Sequence, residues 1–560
     1  MQIRLALIAP QIDNDEKKYK NMDRKVLPLG IYTLKSFLSD SYPETIVIDA
    51  VTKQYTEDEI VDLLITNQCN VVGISGVTNS YYNSILSLSK RLKELPFIRC
   101  VFAGGPIATF CYDVMLLETS FDFVIRGEGE IVLKNVLDKL SKDEEIRQIR
   151  GIAYLDQTNG QIIANSLEER MTEFDKFIPE KYSFEKDIIA EFISGNRSYV
   201  IMASRGCVGN CTFCQVPRYY GQKGIRWRSP VDVVDEIEYA VDHWGVRRVN
   251  FQDSNFLCNS KWVDQFIDEI SNREVHFKFN VFADAESVDY ERIKRLEKIG
   301  LYQVFVGFET GSEERFYKLG KKAKFEDNQK AVTILKRTGM KVIPGFILFF
   351  PDSTIPEILD SVEWFQKNKF LKPSMYFNKM DLWYGTELYR LVEANNCIVS
   401  NSMNDGVSYR FLDQKVNILY EYMMIGLNEF KSVWGKLTAE NAKRRSHLAD
   451  QVYQRINVAD AGMEPDYKPI IQKVQAYYNE RDNYSFGRSR NNEVLLNQIV
   501  REYFEEAIRH LDTSTMNVSE KKMYMKEFAR CLIEEHHSFE WLSDLDFKAQ
   551  EAVIHEILEG

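Results

Sequence analysis

The chain has 560 residues, 44% of them apolar and 28% charged, and a net charge of −12 from 71 basic and 83 acidic side chains. That is ordinary globular composition spread over too many residues for one core, so several domains are expected and bulk disorder is excluded. The acidic balance speaks against a surface that coats nucleic acid, and no run of 18 apolar residues offers a membrane span. The nine cysteines are an odd number, and the N-terminus shows no signal-peptide pattern. Both point to a reducing cytoplasm and to metal or catalytic use of thiols rather than a disulfide framework.

Residues 1–145 alternate strand and helix signals. Apolar runs at 3–9, 45–48, 71–75, 100–103 and 121–125 predict five strands, with helices after Pro28-Leu29-Gly30, over 57–65 and over 84–95. Buried strands alternating with helices make a doubly wound parallel sheet, a Rossmann-like domain whose ligand sits beyond the carboxyl ends of the strands. Residues 146–196 form a connector, with Asn159-Gly160 between two apolar segments as a hairpin signal.

A second strand–helix rhythm fills residues 197–395. Strands are predicted at 199–203, 247–252, 276–282, 303–308, 341–349 and 374–381. Ser229-Pro230 opens a helix that Gly245 ends, and Gly300 and Gly339 end two more. Six such units predict a partial (β/α)6 barrel, similar to a TIM barrel, with its working face at the strand ends. From 396 to 560 glycine and proline become sparse. Amphipathic patterns at 494–511 and 521–536 predict a mainly helical domain.

The strongest chemical signal is Arg205-Gly206-Cys207-Val-Gly-Asn-Cys211-Thr-Phe-Cys214, directly after a predicted strand. Three thiolates at this spacing can hold three irons of a cubane cluster, which normally takes four ligands, so one iron stays open. Zinc is the competing reading. A structural zinc wants four ligands, and the nearest later candidates, His243 and Cys258, lie beyond a predicted helix.

The C-x3-C-x2-C spacing, the aromatic Phe213 before the last cysteine and the barrel resemble the radical S-adenosylmethionine (radical SAM) superfamily. The resemblance implies a [4Fe–4S] cluster on Cys207, Cys211 and Cys214 whose open iron binds the amino and carboxylate groups of SAM. Reduction by an external donor such as flavodoxin or ferredoxin then yields methionine and a 5′-deoxyadenosyl radical. Three further positions fall where family motifs face SAM: Asp253 at the end of the second strand, in place of the family's usual glycine-glutamate motif, Glu309 in Val306-Gly-Phe-Glu-Thr-Gly-Ser312, and Gly345 in Pro344-Gly-Phe-Ile-Leu-Phe-Phe-Pro351. Residues 383–388 resemble the segment that closes the sixth strand.

The first domain carries glycine-containing turns at its predicted strand ends: Gly73, Ser75, Val77 and Thr78; Gly104 and Gly105; Gly127 and Glu128. Glycine there lets backbone N–H groups approach a large ligand. Singly each is an ordinary turn. Together with the barrel they resemble the cobalamin (B12)-binding radical SAM family, similar to class B radical SAM methyltransferases, over about residues 1–395. The resemblance implies cobalamin in the first domain. Residues 1–150 contain no histidine and no Asp-x-His-x-x-Gly motif, so a base-off, His-off cobalamin is expected.

The leading expectation is a cobalamin-dependent radical SAM methyltransferase that acts on an unactivated carbon of a small-molecule or peptide substrate, through a 5′-deoxyadenosyl radical and methylcobalamin. Its alternatives are a cobalamin-dependent cyclase, ring contractase or oxidase, a radical SAM enzyme whose first domain binds another ligand, and a non-catalytic cobalamin sensor. A methylthiotransferase acting on RNA would need three more cysteines for a second cluster. Only Cys69, Cys100 and Cys111 are available, in or beside predicted strands.

Overall fold

The computed structural model describes residues 2–11, 27–76, 81–171, 184, 186–193, 197–221, 224–273, 275–402, 406–428, 490–511 and 517–535. Val77 and Thr78 lie outside the described residues.

Strands β1 (Leu5–Ala9), β2 (Ile46–Asp49), β3 (Val71–Ser75), β4 (Cys100–Gly104) and β5 (Phe123–Ile125) form a parallel sheet in the order β2-β1-β3-β4-β5. The five predicted strands are all present. Alternation along each strand feeds two cores: Leu5, Leu7, Val71 and Phe102 pack on one face, and Ala6, Ile8, Val72 and Val101 on the other. The first face continues without a break into the barrel core and on to the C-terminal helices.

The predicted hairpin is present, as β6 (Ile152–Asp156) and β7 (Gln161–Ala164), turning at Gly160 with φ +70°. It does not stand apart as a connector. β6 pairs antiparallel with β5 and extends the first sheet to seven strands. The edge of β5 would otherwise leave a row of backbone groups unpaired, and the hairpin covers it.

The barrel strands are β8 (Tyr199–Ile201), β11 (Arg248–Phe251), β12 (Lys278–Asp284), β13 (Leu301–Glu309) and β14 (Lys341–Phe346), all parallel and in chain order around the sheet. Between β8 and β11 lies an antiparallel pair, β9 (Ser204–Cys207) with β10 (Gly224–Trp227), which the sequence did not signal. The helix Pro230–Trp244 is capped by Ser229 and ended by Gly245 in the left-handed region, as expected. The sixth strand is reduced to one parallel bridge, Phe349 to Lys379, preceded by a 3-10 turn over Pro373–Phe377. Pro373 lacks an N–H for a ladder, and the helix Arg490–Arg509 packs on this turn through Tyr376 and Phe504, with ring centroids 5.3 Å apart.

The described part of 396–560 is helical at 414–428, Arg490–Arg509 and Val518–Glu535, with a hairpin of β15 (Ile398–Ser402) and β16 (Gly406–Tyr409) before them. Among the described residues no helix is long and apolar enough to cross a membrane.

Candidate functional site

The carboxyl edge of the first sheet opens on a cavity of about 180 Å³, lined by Gly73, Ser75, Gly104, Gly105, Gly127 and Glu128. All the described residues expected at the cobalamin edge thus meet in one place. The floor is apolar: Leu7, Phe102 and Ile125 rise from the strands. A Cβ at Gly73 would fall 2.5 Å from the Phe102 ring, so only glycine lets that ring lie across the sheet. Gly105, at φ +95°, packs with its Cβ direction 2.6 Å from the Gly76 carbonyl, which closes the β4 turn against the β3 turn.

The far wall of the cavity belongs to the barrel. Met202, Arg205, Tyr219 and Tyr220 line it, and the Tyr219 hydroxyl donates to the Gly127 carbonyl at 2.9 Å. Glu128 is more than a cavity residue. Its carboxylate accepts from Arg205 at 3.0 Å and Arg226 at 2.8 Å, while Arg205 also reaches Glu130 at 2.6 Å. Arg205 and Arg226 are cross-strand partners on β9 and β10. Burial alone would raise the Glu128 pKa, but the two guanidinium groups outweigh it and hold the carboxyl below its ordinary value.

Strand β9 delivers the cysteine loop. Gly206 has φ +102°, and a Cβ there would sit 2.2 Å from the Gly224 carbonyl, so the β9–β10 pair requires glycine. The Cys207 sulfur accepts from the Gly209 N–H at 3.2 Å and the Cys214 sulfur from the Val216 N–H at 3.4 Å. The Cys207 and Cys211 sulfurs lie 3.3 and 3.7 Å from the Cβ direction of Gly209. Burial raises the pKa of all three thiols, Cys211 to about 12. Amide donors aimed at sulfurs, in a buried loop whose thiols need a compensating positive charge to ionise, suit a cluster held by thiolates. Among the described residues no group of three His, Cys, Asp or Glu side chains is gathered as a single-ion metal site, Cys207, Cys211 and Cys214 included.

The SAM-facing expectations fare differently from one another. Glu309 ends β13 at a bulge with φ +65°, and its carboxylate meets the Lys321 ammonium at 3.3 Å beside the cysteine loop. Gly345 lies opposite Gly307 on the neighbouring strand, and a Cβ there would strike the Phe305 ring at 2.8 Å. Asp253 is fully buried, and its carboxylate accepts from the Ser204 hydroxyl at 2.5 Å and the Ala203 N–H at 3.2 Å. Burial pushes its pKa up to about 6, against the pull of those hydrogen bonds. The structure therefore ties Asp253 to the strand that carries Cys207.

Residues 383–388 brace the loop from the other side. Leu388 N–H donates to the Thr212 carbonyl at 3.1 Å, Gln215 donates to the Tyr384 carbonyl at 2.9 Å, and Arg218 pairs with Glu387 at 2.9 Å. Sequence reasoning missed Lys321, Asp284, Arg226 and the pairing of Arg205 with Glu128. Arg205 stands two residues before Cys207, a signal that was available; Lys321 and Asp284 carry no local pattern.

Cys69, Cys100 and Cys111 are buried. Cys69 and Cys111 belong to the core on one face of the first sheet and Cys100 to the core on the other. They cannot share the second cluster that a methylthiotransferase would need.

Comparison with known proteins agrees with this geometry. A radical SAM superfamily profile matches residues 201–365 and a B12-binding domain profile residues 21–137. An uncharacterized methyltransferase, PH0819, of Pyrococcus horikoshii is 26% identical over 67% of this chain and 80% of its own length. The anaerobic magnesium-protoporphyrin IX monomethyl ester cyclase of Rubrivivax gelatinosus is 25% identical over 58% of this chain and 60% of its own length. The solved structure of the cobalamin-dependent SAM radical enzyme OxsB, with aqua-cobalamin and SAM bound, superposes with a TM-score of 0.72 at 18% identity, covering 100% of this chain and 83% of that one.

Proposed function

We propose a methyl-transferring function for this chain, which belongs to the radical SAM enzymes that carry a B12-binding domain. One observation carries the reading: the glycine-lined edge of the first sheet and the strand leading to Cys207 are two walls of the same cavity. A cluster and SAM at the cysteine loop, with cobalamin at the glycine-lined edge, would supply radical generation and a transferable methyl group.

In this reading Cys207, Cys211 and Cys214 hold three irons and leave the fourth to SAM. Glu309, with Lys321 and Asp284 behind it, presents fixed charge to the SAM side. Gly345 and Gly307 leave the inner barrel wall open where the Phe305 and Phe282 rings meet at a tilt, 4.9 Å between centroids. Gly73, Ser75, Gly104, Gly105 and Gly127 offer backbone to the corrin and its tail, and Leu7, Phe102 and Ile125 exclude water beneath the tail. Bound cobalamin would find no imidazole in this domain, because the first histidine of the chain is His243. The substrate, a small molecule or peptide, enters between the two walls, and the electron arrives from an external donor.

The test uses anaerobically reconstituted full-length protein with cobalamin, reductant and SAM labelled in its methyl group. Methyl transfer is expected to leave unlabelled S-adenosylhomocysteine and to carry the label into an acceptor other than methionine, only when cobalamin is present. Formation of 5′-deoxyadenosine with the label left entirely in methionine would instead favour cyclisation or oxidation.

A further inference from the structure

We propose, on the cluster reading of Cys207, Cys211 and Cys214 given above, that Lys321 is a positioning residue that raises the reduction potential of the cluster. The two residues before it pack on the cluster loop. The Thr212 N–H donates to the Leu319 carbonyl at 3.0 Å, and Gly320, at φ +66°, brings its Cβ direction within 3.3 Å of the Asn210 carbonyl. The Lys321 side chain is 4% exposed. Its ammonium donates to the Gly307 carbonyl at 2.5 Å and to Glu309 at 3.3 Å, and lies 3.4 Å from Asp284.

Those three contacts explain two odd features of β13. Glu309 adopts a left-handed backbone that a glutamate enters only against a steric cost. The same ammonium holds both arms of that bulge, the carbonyl of Gly307 and the carboxylate of Glu309. At Gly307 a Cβ would fall 2.5 Å from the Glu309 carboxylate and 3.4 Å from the ammonium, so the glycine makes room for the ion pair.

The pair lies beside the cysteine loop, near enough for its charges to act on Cys207 and Cys211. Burial pulls the Lys321 pKa down, but Glu309 and Asp284 outweigh it and keep the ammonium charged. Lys322, the other cation near Cys207, is exposed and therefore screened by solvent. A buried positive charge favours the reduced, more negative cluster, and cluster potentials follow local charge, sulfur hydrogen bonds and exposure.

The experiment compares the full-length protein with Lys321→Met and Lys321→Arg, each reconstituted anaerobically without SAM or cobalamin. Iron and sulfide content are measured first, then the midpoint potential by redox titration followed by electron paramagnetic resonance. Lys321→Met is expected to keep its iron and shift to a more negative potential, and Lys321→Arg to return toward the wild-type value. A fully loaded Lys321→Met with the wild-type potential would overturn the proposal. Should Lys321→Met fail to load, Asp284→Asn decides, because removing a negative neighbour must shift the potential the opposite way; an unchanged potential there also overturns it. Absence of a [4Fe–4S] cluster from the wild-type protein would be a different failure, that of the cluster reading itself.

Discussion

Arg205 on the cysteine-bearing strand and Glu128 at the ligand edge of the first sheet form an ion pair at 3.0 Å, with side chains only 9% and 10% exposed. The two candidate cofactor walls are thus joined by a buried charge pair, and Arg226 and Glu130 complete the group. Buried pairs add little net stability over an apolar replacement, but losing one partner leaves charges without compensation. Glu128→Ala takes the carboxylate from Arg226 and leaves Arg205 only Glu130, and should cost up to about 3–5 kcal/mol, read as a lower denaturant midpoint. An unchanged midpoint would show that the pair does not join the walls in solution.

The same carboxyl gives a pH signature. Its folded pKa lies below the ordinary value of 4.5, so its contribution is complete above that value and is lost as pH falls through the depressed one. Wild type should therefore lose stability on acidification below about pH 4.5 more steeply than Glu128→Gln. Parallel acid profiles would contradict this.

Two glycines separate the cofactors. Gly105→Ala meets the Gly76 carbonyl and Gly206→Ala the Gly224 carbonyl, both from positive φ, a backbone strain of about 1–3 kcal/mol before the clashes are added. Gly105→Ala should weaken cobalamin binding and leave iron content near wild type. Gly206→Ala should lower iron content and leave cobalamin binding. Equal effects on both ligands in both variants would deny that the two edges are built separately.

Asp253 distinguishes a strand anchor from a SAM ligand. Asp253→Ala leaves the Ala203 N–H and the Ser204 hydroxyl without acceptors, a loss of about 1–3 kcal/mol, and should loosen cluster retention. Full iron content with weakened SAM affinity would restore the direct contact expected from the sequence.

Much of this was legible in the residues. Apolar runs alternating with helix signals marked the strands of both main sheets, the C-x3-C-x2-C spacing marked the loop, and the strand-end glycines converge on one cavity. What stayed hidden depends on tertiary context. Asn159-Gly160 announces a hairpin but not that β6 would cover the edge of β5. The apolar run at 374–381 reads as a strand until Pro373 and the helix Arg490–Arg509 draw it into a turn. Lys321 is one lysine among many in the sequence, and only the bulge at Gly307 and Glu309 selects it.

The cobalt ligand is tested by electron paramagnetic resonance of the Co(II) form. With no histidine before His243 and an apolar cavity for the tail, the signal should lack axial nitrogen coupling. Strong nitrogen coupling would place an imidazole or the dimethylbenzimidazole on cobalt.

The claim that the two cofactor sites adjoin, the glycine-lined edge facing the strand that leads to Cys207, is tested most directly by the magnetic interaction between Co(II) cobalamin and the reduced cluster in the same protein molecule. Broadening and faster relaxation of the Co(II) signal are expected when the cluster is reduced, and their loss in Cys211→Ala. A Co(II) signal indifferent to the cluster, in protein shown to hold both, would contradict it.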